Sequence, residues 1–202
     1  MRTSDIVACL DYPCTDVDSG LHCVPNIQVS PARVGIVVVA EAAALRREDD
    51  FYASGQAVFA QTTLEAFRDA GADVASIADL LRRGVYLTTA VKCAKTAYAL
   101  QATTIKTCSE LLAKELALFP NVRALLLMGD VAIKALNAIA RRAGEPRVIP
   151  AGPTYKLRGV PYHWHGMRVF PSYLQAGPSF YIEKSKRRMI AEDIAAALAL
   201  TA

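Results

Sequence analysis

The feature that most constrains this chain is a set of short, nearly unbroken apolar runs. Val34 to Ala40 reads VGIVVVA and ends on Glu41, Val85 to Val91 reads VYLTTAV, and Ala124 to Met128 reads ALLLM. The first and third carry no polar side chain, and the second is rich in β-branched and aromatic residues. Runs like these mark strands buried on both faces, as in a parallel sheet with helices on each side. Helical stretches separate them. One runs from about Phe59 to Ala70 and is stopped by Gly71, and a short one spans Ile77 to Arg83. A third, from about Thr104 to Leu118, has Leu111, Leu112, Leu116 and Leu118 as its apolar residues and is ended by Pro120. Gly129-Asp130 turns into a fourth, from about Val131 to Ala143. Thr154 to Met167 reads as an irregular or hairpin excursion, Arg168 to Phe170 as a short last strand, and Glu183 to Leu200 as the last helix. The alternation predicts an α/β fold, a three-layer α/β/α sandwich around a central four-stranded parallel sheet. Neither a repeat nor a linker divides the chain, so residues 1–202 read as one domain, with 1–33 an irregular segment wrapped over its surface.

At 202 residues the chain can bury a sizeable core. With 53% apolar and 21% charged residues it is globular rather than disordered. A net charge of +4 permits a nucleic-acid partner without requiring one. The apolar run behind Arg2 and Asp5 is too short for a signal peptide, and nothing approaches the roughly 20 residues of a membrane helix. These features predict a soluble, cytoplasmic protein with no membrane partner. In that compartment five cysteines argue against a disulfide framework and for buried thiols or metal ligation.

The stretch from Val85 to Cys108 carries the densest chemistry. Its strand is expected to deliver Lys92 and Cys93 into an irregular loop, and Cys108 to sit early in the following helix. Two cysteines with fourteen residues between them, one closing a strand and one opening a helix, can be brought together in space to hold a metal or cluster. Glu41 places a carboxylate at a strand's end, where open α/β sheets bind ligands. At the start of the last helix, Lys184, Lys186, Arg187 and Arg188 oppose the helix dipole, so an anionic partner such as phosphate is one reading. A solvated face balanced by Glu183 and Glu192 is the other.

With these pieces placed, the order of motifs resembles the uracil-DNA glycosylase superfamily, most closely its iron-sulfur branch, family 4. That family has an apolar strand ending in Gly-Glu-Ala-Pro-Gly, where this chain has Ala40-Glu41-Ala42-Ala43 after Val39. Its strand Tyr-Ile-Thr-Asn-Val-Val-Lys-Cys is matched by Tyr86-Leu87-Thr88-Thr89-Ala90-Val91-Lys92-Cys93, followed by a helix with another cysteine, Cys108. Its Leu-Gly-x-x-Ala is matched by Met128-Gly129-Asp130-Val131-Ala132, and its His-Pro-Ser-Tyr-Leu by Phe170-Pro171-Ser172-Tyr173-Leu174. The resemblance spans roughly residues 9–200. Three departures fall inside the motifs: alanines 40, 42 and 43 replace glycine and proline, Thr89 replaces asparagine, and Phe170 replaces histidine.

The resemblance implies a 4Fe-4S cluster held by Cys9, Cys14, Cys93 and Cys108, with Cys23 as the alternative N-terminal ligand, in a structural role. It implies a DNA partner containing a deaminated base and a DNA glycosylase acting in base excision, with uracil the first expectation and hypoxanthine or xanthine a variant. Glu41 would orient water and stabilise the sugar cation. Phe59, or Phe51, would stack on the extruded base, beside Ala40 and Thr89. Pro171, Tyr173 and Leu174 form the loop expected to enter the DNA groove, with Leu174 or Tyr173 as the wedge. Because Phe170 donates no hydrogen bond, the departing base would be met by Ser172, a backbone N–H or Lys92. Lys92, Arg187 and Arg188 are the expected DNA contacts, and the protein is expected to act as a monomer. The loss of the motif histidine also permits a second reading: a nucleic-acid-binding protein that keeps fold and cluster without useful catalysis.

Overall fold

The computed structural model describes residues 1–201. Six strands, β1 (Val17–Asp18), β2 (Ile36–Ala43), β3 (Val85–Lys95), β4 (Ala124–Met128), β5 (Tyr162–Trp164) and β6 (Met167–Ser172), form one sheet in the order β1-β3-β2-β4-β6-β5. The central four are parallel, as the apolar runs predict. The sheet is nevertheless six-stranded rather than four-stranded, because β1 and β5 add short antiparallel edges. Edge strand β1 is neither long nor apolar enough to be read from sequence alone.

The helices are α1 (Val58–Asp69), α2 (Ile77–Arg82), α3 (Ala102–Leu116), α4 (Asp130–Arg142), α5 (Thr154–Leu157) and α6 (Lys184–Leu198). Helices α3 and α4 pack on each other over one face, burying Val37, Val39, Leu125 and Leu127. Helix α1 packs on α6 over the other face, burying Ile36, Val38, Leu126 and Phe67. Successive strand residues point to opposite faces, so β2 and β4 must be apolar throughout. Among the described residues no helix is long and apolar enough to cross a membrane.

Two boundaries differ from expectation, with consequences for function. Glu41 lies inside β2 rather than at its last residue. Strand β3 runs on through Lys92 and Cys93, which sequence places in a loop. They are accommodated by a bulge: Ala42 pairs with Val91, but Ala43 pairs with Ala94, leaving Lys92 and Cys93 as extra residues on β3. The bulge releases the Lys92 backbone from the ladder. Its N–H donates to Cys108 Sγ (3.1 Å), and its carbonyl accepts from the Cys23 N–H (2.6 Å).

The Lys92 side chain points into the core and is fully buried, as is its partner Glu115 on α3. Its ammonium donates to the Glu115 carboxylate, to Thr88 Oγ1 (2.7 Å) and to the Thr89 carbonyl (2.6 Å). All three of its N–H donors are thus satisfied. Glu115 also accepts from the hydroxyls of Tyr86 (2.7 Å) and Thr88 (2.9 Å), and the Tyr86 hydroxyl bonds to that of Thr3 (3.0 Å).

The N-terminal segment is short turns and bends, as expected, but it is anchored. Asp16 caps α3, accepting from the Gln101 N–H (2.6 Å) and the Thr104 hydroxyl. Burial opposes its charge, yet these bonds outweigh burial and hold its pKa below the usual carboxylate value. The stability so gained is present above the unfolded-state pKa and lost as pH falls through the folded one.

Removing one member of a buried ion pair strands the other. Glu115→Ala is expected to cost about 3–5 kcal/mol, and the double change Lys92→Met with Glu115→Leu to recover most of it. Urea unfolding of the three proteins checks this; a single variant as stable as wild type would contradict it.

Candidate active site and cysteine cavity

In a parallel sheet the carboxyl ends of all the strands open on one edge, and the loops that follow gather there. Glu41 is on that edge. Its side chain leans on the start of α4, where Gly129 adopts φ 104 ahead of Asp130. A Cβ at position 129 would lie 2.6 Å from Glu41 Oε1, so both the conformation and the contact require glycine. The Val131 backbone N–H at the start of α4 and the Lys95 ammonium, whose Nζ stands 4.0 Å away, both favour the charged carboxylate. Burial raises the Glu41 pKa above its ordinary value; Lys95 and the Val131 N–H pull it down, and Asp130 adds to the rise. The side chain keeps 21% exposure, enough for solvent or substrate to reach it. The result is a carboxylate of enhanced basicity, held by a helix N-terminus and a cation.

Ala40 and Thr89 pair in register beside it and are buried. The two aromatic candidates separate. Phe51 is 2% exposed and belongs to the core, whereas Phe59 is half-buried at the start of α1. Their rings lie 5.2 Å apart at 54°, so Phe51 backs Phe59. Phe170 is buried in the core with the Arg168 guanidinium 4.6 Å from its ring.

Four expected roles are corrected by burial and pairing. Lys92 is sealed in the interior and can meet neither phosphate nor a departing base. Ser172 and Pro171 lie inside β6 and are buried, and the Ser172 hydroxyl donates to Asp193 on α6 (2.6 Å). Ser172 therefore ties β6 to α6 instead of facing the site. Arg187 is engaged by Asp69 (2.9 Å) and Glu65, pinning α6 to α1, so its charge is already met. Arg188 remains exposed, with Glu192 3.8 Å away. Tyr173 and Leu174 follow β6 on a half-buried loop, and Lys186 Nζ lies 5.4 Å from the Tyr173 ring.

Residues that sequence reasoning missed complete the rim. Lys95 reaches both Glu41 and Tyr98, with Nζ 5.8 Å from the Tyr98 ring and 3.2 Å from its carbonyl. Tyr98 is 97% exposed, leaving a free aromatic face beside the candidate acid. The signal was the pair of lysines and tyrosines flanking the strand end, but only the bulge reveals which of them face Glu41.

The cysteines fall into two groups. A cavity of about 230 Å³ is lined by Cys9, Cys14, Cys93 and Cys108, together with His22 and Leu111. Burial pushes the Cys93 thiol up to about 12, and the neighbouring thiols Cys108, Cys9 and Cys14 add to the rise. Burial also raises Cys108, against the Lys92 N–H and ammonium. His22 Nδ1 lies 3.5 Å from Cys93 Sγ. Cys23 lines a separate cavity near Asp50, so the alternative ligand stands apart from the other four. Among the described residues, no three His, Cys, Asp or Glu side chains converge closely enough to hold a single metal ion.

The α/β sheet fold agrees with a comparison against known families: the model of the uracil DNA glycosylase superfamily matches residues 28–196. The chain belongs to the uracil DNA glycosylase superfamily. No curated protein matches it. Superfamily membership suggests hydrolytic glycosylase chemistry on DNA.

Gly129→Ala adds a Cβ against Glu41 at a positive φ. It is expected to cost about 1–3 kcal/mol of stability and to displace the carboxylate. Chemical unfolding reads the first effect, and the pH dependence of base release reads the second.

Proposed function

We propose that this protein is a DNA glycosylase of the iron-sulfur family 4 kind, acting as a single-domain monomer in base-excision repair. It extrudes a deaminated base, uracil first, and hydrolyses its N-glycosidic bond. The observation that carries the reading is Glu41: a largely buried carboxylate that keeps 21% side-chain exposure, set against the start of α4 and near Lys95 on the carboxyl edge of the sheet.

As the glycosidic bond breaks, positive charge develops on the sugar. A carboxylate held near the anomeric carbon stabilises that charge without reorganising, and it can orient the attacking water. Partial burial strengthens both effects, since charges act more strongly where water is scarce. Phe59, backed by Phe51, supplies the stacking face, and Ala40 and Thr89 line the base edge. Tyr173, Leu174 and the exposed Tyr98 stand at the rim to fill the stack that the base leaves. Phe170 has no donor, Ser172 is committed to Asp193 and Lys92 is sealed, so of the three groups expected to meet the departing base only a backbone N–H remains.

The donor set fits a 4Fe-4S cluster in kind and number. Four cysteines line one cavity, and a cluster spreads its thiolates wider than a single ion does. Cys9, Cys14, Cys93 and Cys108 would hold it. Bound there, it would supply structural cross-linking between the N-terminal segment, β3 and α3.

The burial of Phe170 supports a second reading, in which the protein binds damaged DNA and releases no base. Base release from oligonucleotides containing uracil, hypoxanthine or xanthine, single- and double-stranded, separates the two. Glu41→Gln is expected to lower release by about 10²–10⁴-fold with little effect on binding. The active form is the carboxylate, so release falls as pH drops through a pKa above the ordinary 4.5. Lys95→Met removes a cation that lowers this pKa and should move that acid limb to higher pH. Wild type that releases no base while binding normally would favour the second reading.

The cluster has its own check. Anaerobically purified protein is expected to be brown and iron-containing, and Cys93→Ala to be colourless, whereas Cys23→Ala keeps its iron. Colourless, iron-free wild type that folds normally would overturn the ligand assignment.

A further inference from the structure

A groove of about 650 Å³ runs along α4, walled by the first turns of α3 and by residues 147–157. Buried Ile105, Ile133 and Leu157 contribute to its lining. Its rim carries Lys106, Lys134, Arg141, Arg142 and Arg147, against a single lining carboxylate, Asp130. Two of these cations are engaged: Lys134 pairs with Asp130 (2.5 Å), and Arg142 lies 3.5 Å from Glu110 and donates to the Lys106 carbonyl (2.8 Å). Lys106, Arg141 and Arg147 are exposed and make no ion pair among the described residues. A merely solvated face has no need of an apolar trough between its cations. Anionic rims and flat apolar faces are together the chemistry of single-stranded nucleic acid, with phosphates outside and bases on the floor.

The groove's position narrows the occupant. Asp130 and Lys134 line its mouth and also act on Glu41, whose charged carboxylate is favoured by the N–H of the intervening Val131. From Asp130 to Arg141 the helix extends roughly 16 Å away from that point. A strand whose target base sits at Glu41 can therefore continue directly into the groove. An acidic amphipathic helix shares the chemistry but gains nothing from this continuity.

We propose that the groove along α4 binds the single-stranded continuation of the target DNA strand, with Lys106, Arg141 and Arg147 on its phosphates and Ile105, Ile133 and Leu157 against its bases. The inference rests on the reading of the Glu41 edge as a DNA site. It makes the protein favour targets in single-stranded DNA.

The test is fluorescence anisotropy on the full-length protein, using undamaged single-stranded oligonucleotides of about four and about fifteen nucleotides across a salt series. The triple variant Lys106→Ser, Arg141→Ser, Arg147→Ser is compared with wild type after a thermal melt confirms folding. The long oligonucleotide is expected to lose at least about tenfold in affinity and about 2 units of log–log salt slope, near 0.7 per phosphate contact. The short one is expected to bind the variant as it binds wild type. Unchanged affinity and slope for the long oligonucleotide, or equal losses for both, would overturn the proposal. So would an acidic helical peptide that binds wild type and is lost in the variant while DNA binding persists. No base is released in this assay, so a failed glycosylase reading leaves the result interpretable.

Discussion

The fully buried pairing of Lys92 with Glu115 is the constraint on which the rest of this structure turns. An ammonium and a carboxylate removed from water are tolerated only when every donor and acceptor finds a partner. Here Thr88, Thr89, Tyr86 and Thr3 supply those partners. The requirement locks strand β3 to helix α3 and brings the first residues of the chain against both. It also sets the bulge, because Lys92 can point inward while its backbone N–H and carbonyl leave the ladder only if β3 carries extra residues there. One buried charge thus positions Cys93 and Cys108 on one side and the approach of Lys95 to Glu41 on the other.

The reactive edge follows from ordinary sheet geometry refined by two local contacts. Parallel strands deliver their ends together, and Gly129 lets the first turn of α4 come close enough for the Val131 N–H to favour the charged form of Glu41. Burial raises the basicity of that carboxylate while Lys95 restrains the rise, so its proton affinity is set by two opposing groups. Stacking support is divided in the same way, with Phe51 spent on the core and Phe59 left half open. Phe170 packs among the apolar side chains of one face, and Ser172 is held by Asp193 on α6.

Much of this was legible in the chain. The apolar runs marked β2, β3 and β4, and Ala124–Met128 matches β4 residue for residue. Cys93 on a strand and Cys108 on the helix after it line one cavity, as two residues of a single β-loop-α unit can. Other assignments needed neighbours that lie far off in sequence. Arg187 looked available until Asp69, 118 residues away, was found beside it. Lys92 looked like a loop cation because nothing local shows that Glu115, 23 positions on, waits inside the core. The edge strand β1 left no periodicity to detect, whereas β5 forms with β6 the hairpin that was one of the two readings of Thr154 to Met167.

By itself, the sequence determined the layer architecture and the order of the motifs, because burying both faces of a strand leaves a pattern that no loop shares. It also determined which residue types could do chemistry. Tertiary structure alone decided which of them are free to do it. Ionisable and hydroxyl side chains take their roles from partners and from water access, and those are set by packing between distant segments. Glu41 keeps partial exposure and Tyr98 an open face, whereas Lys92, Ser172 and Arg187 are consumed in holding the frame.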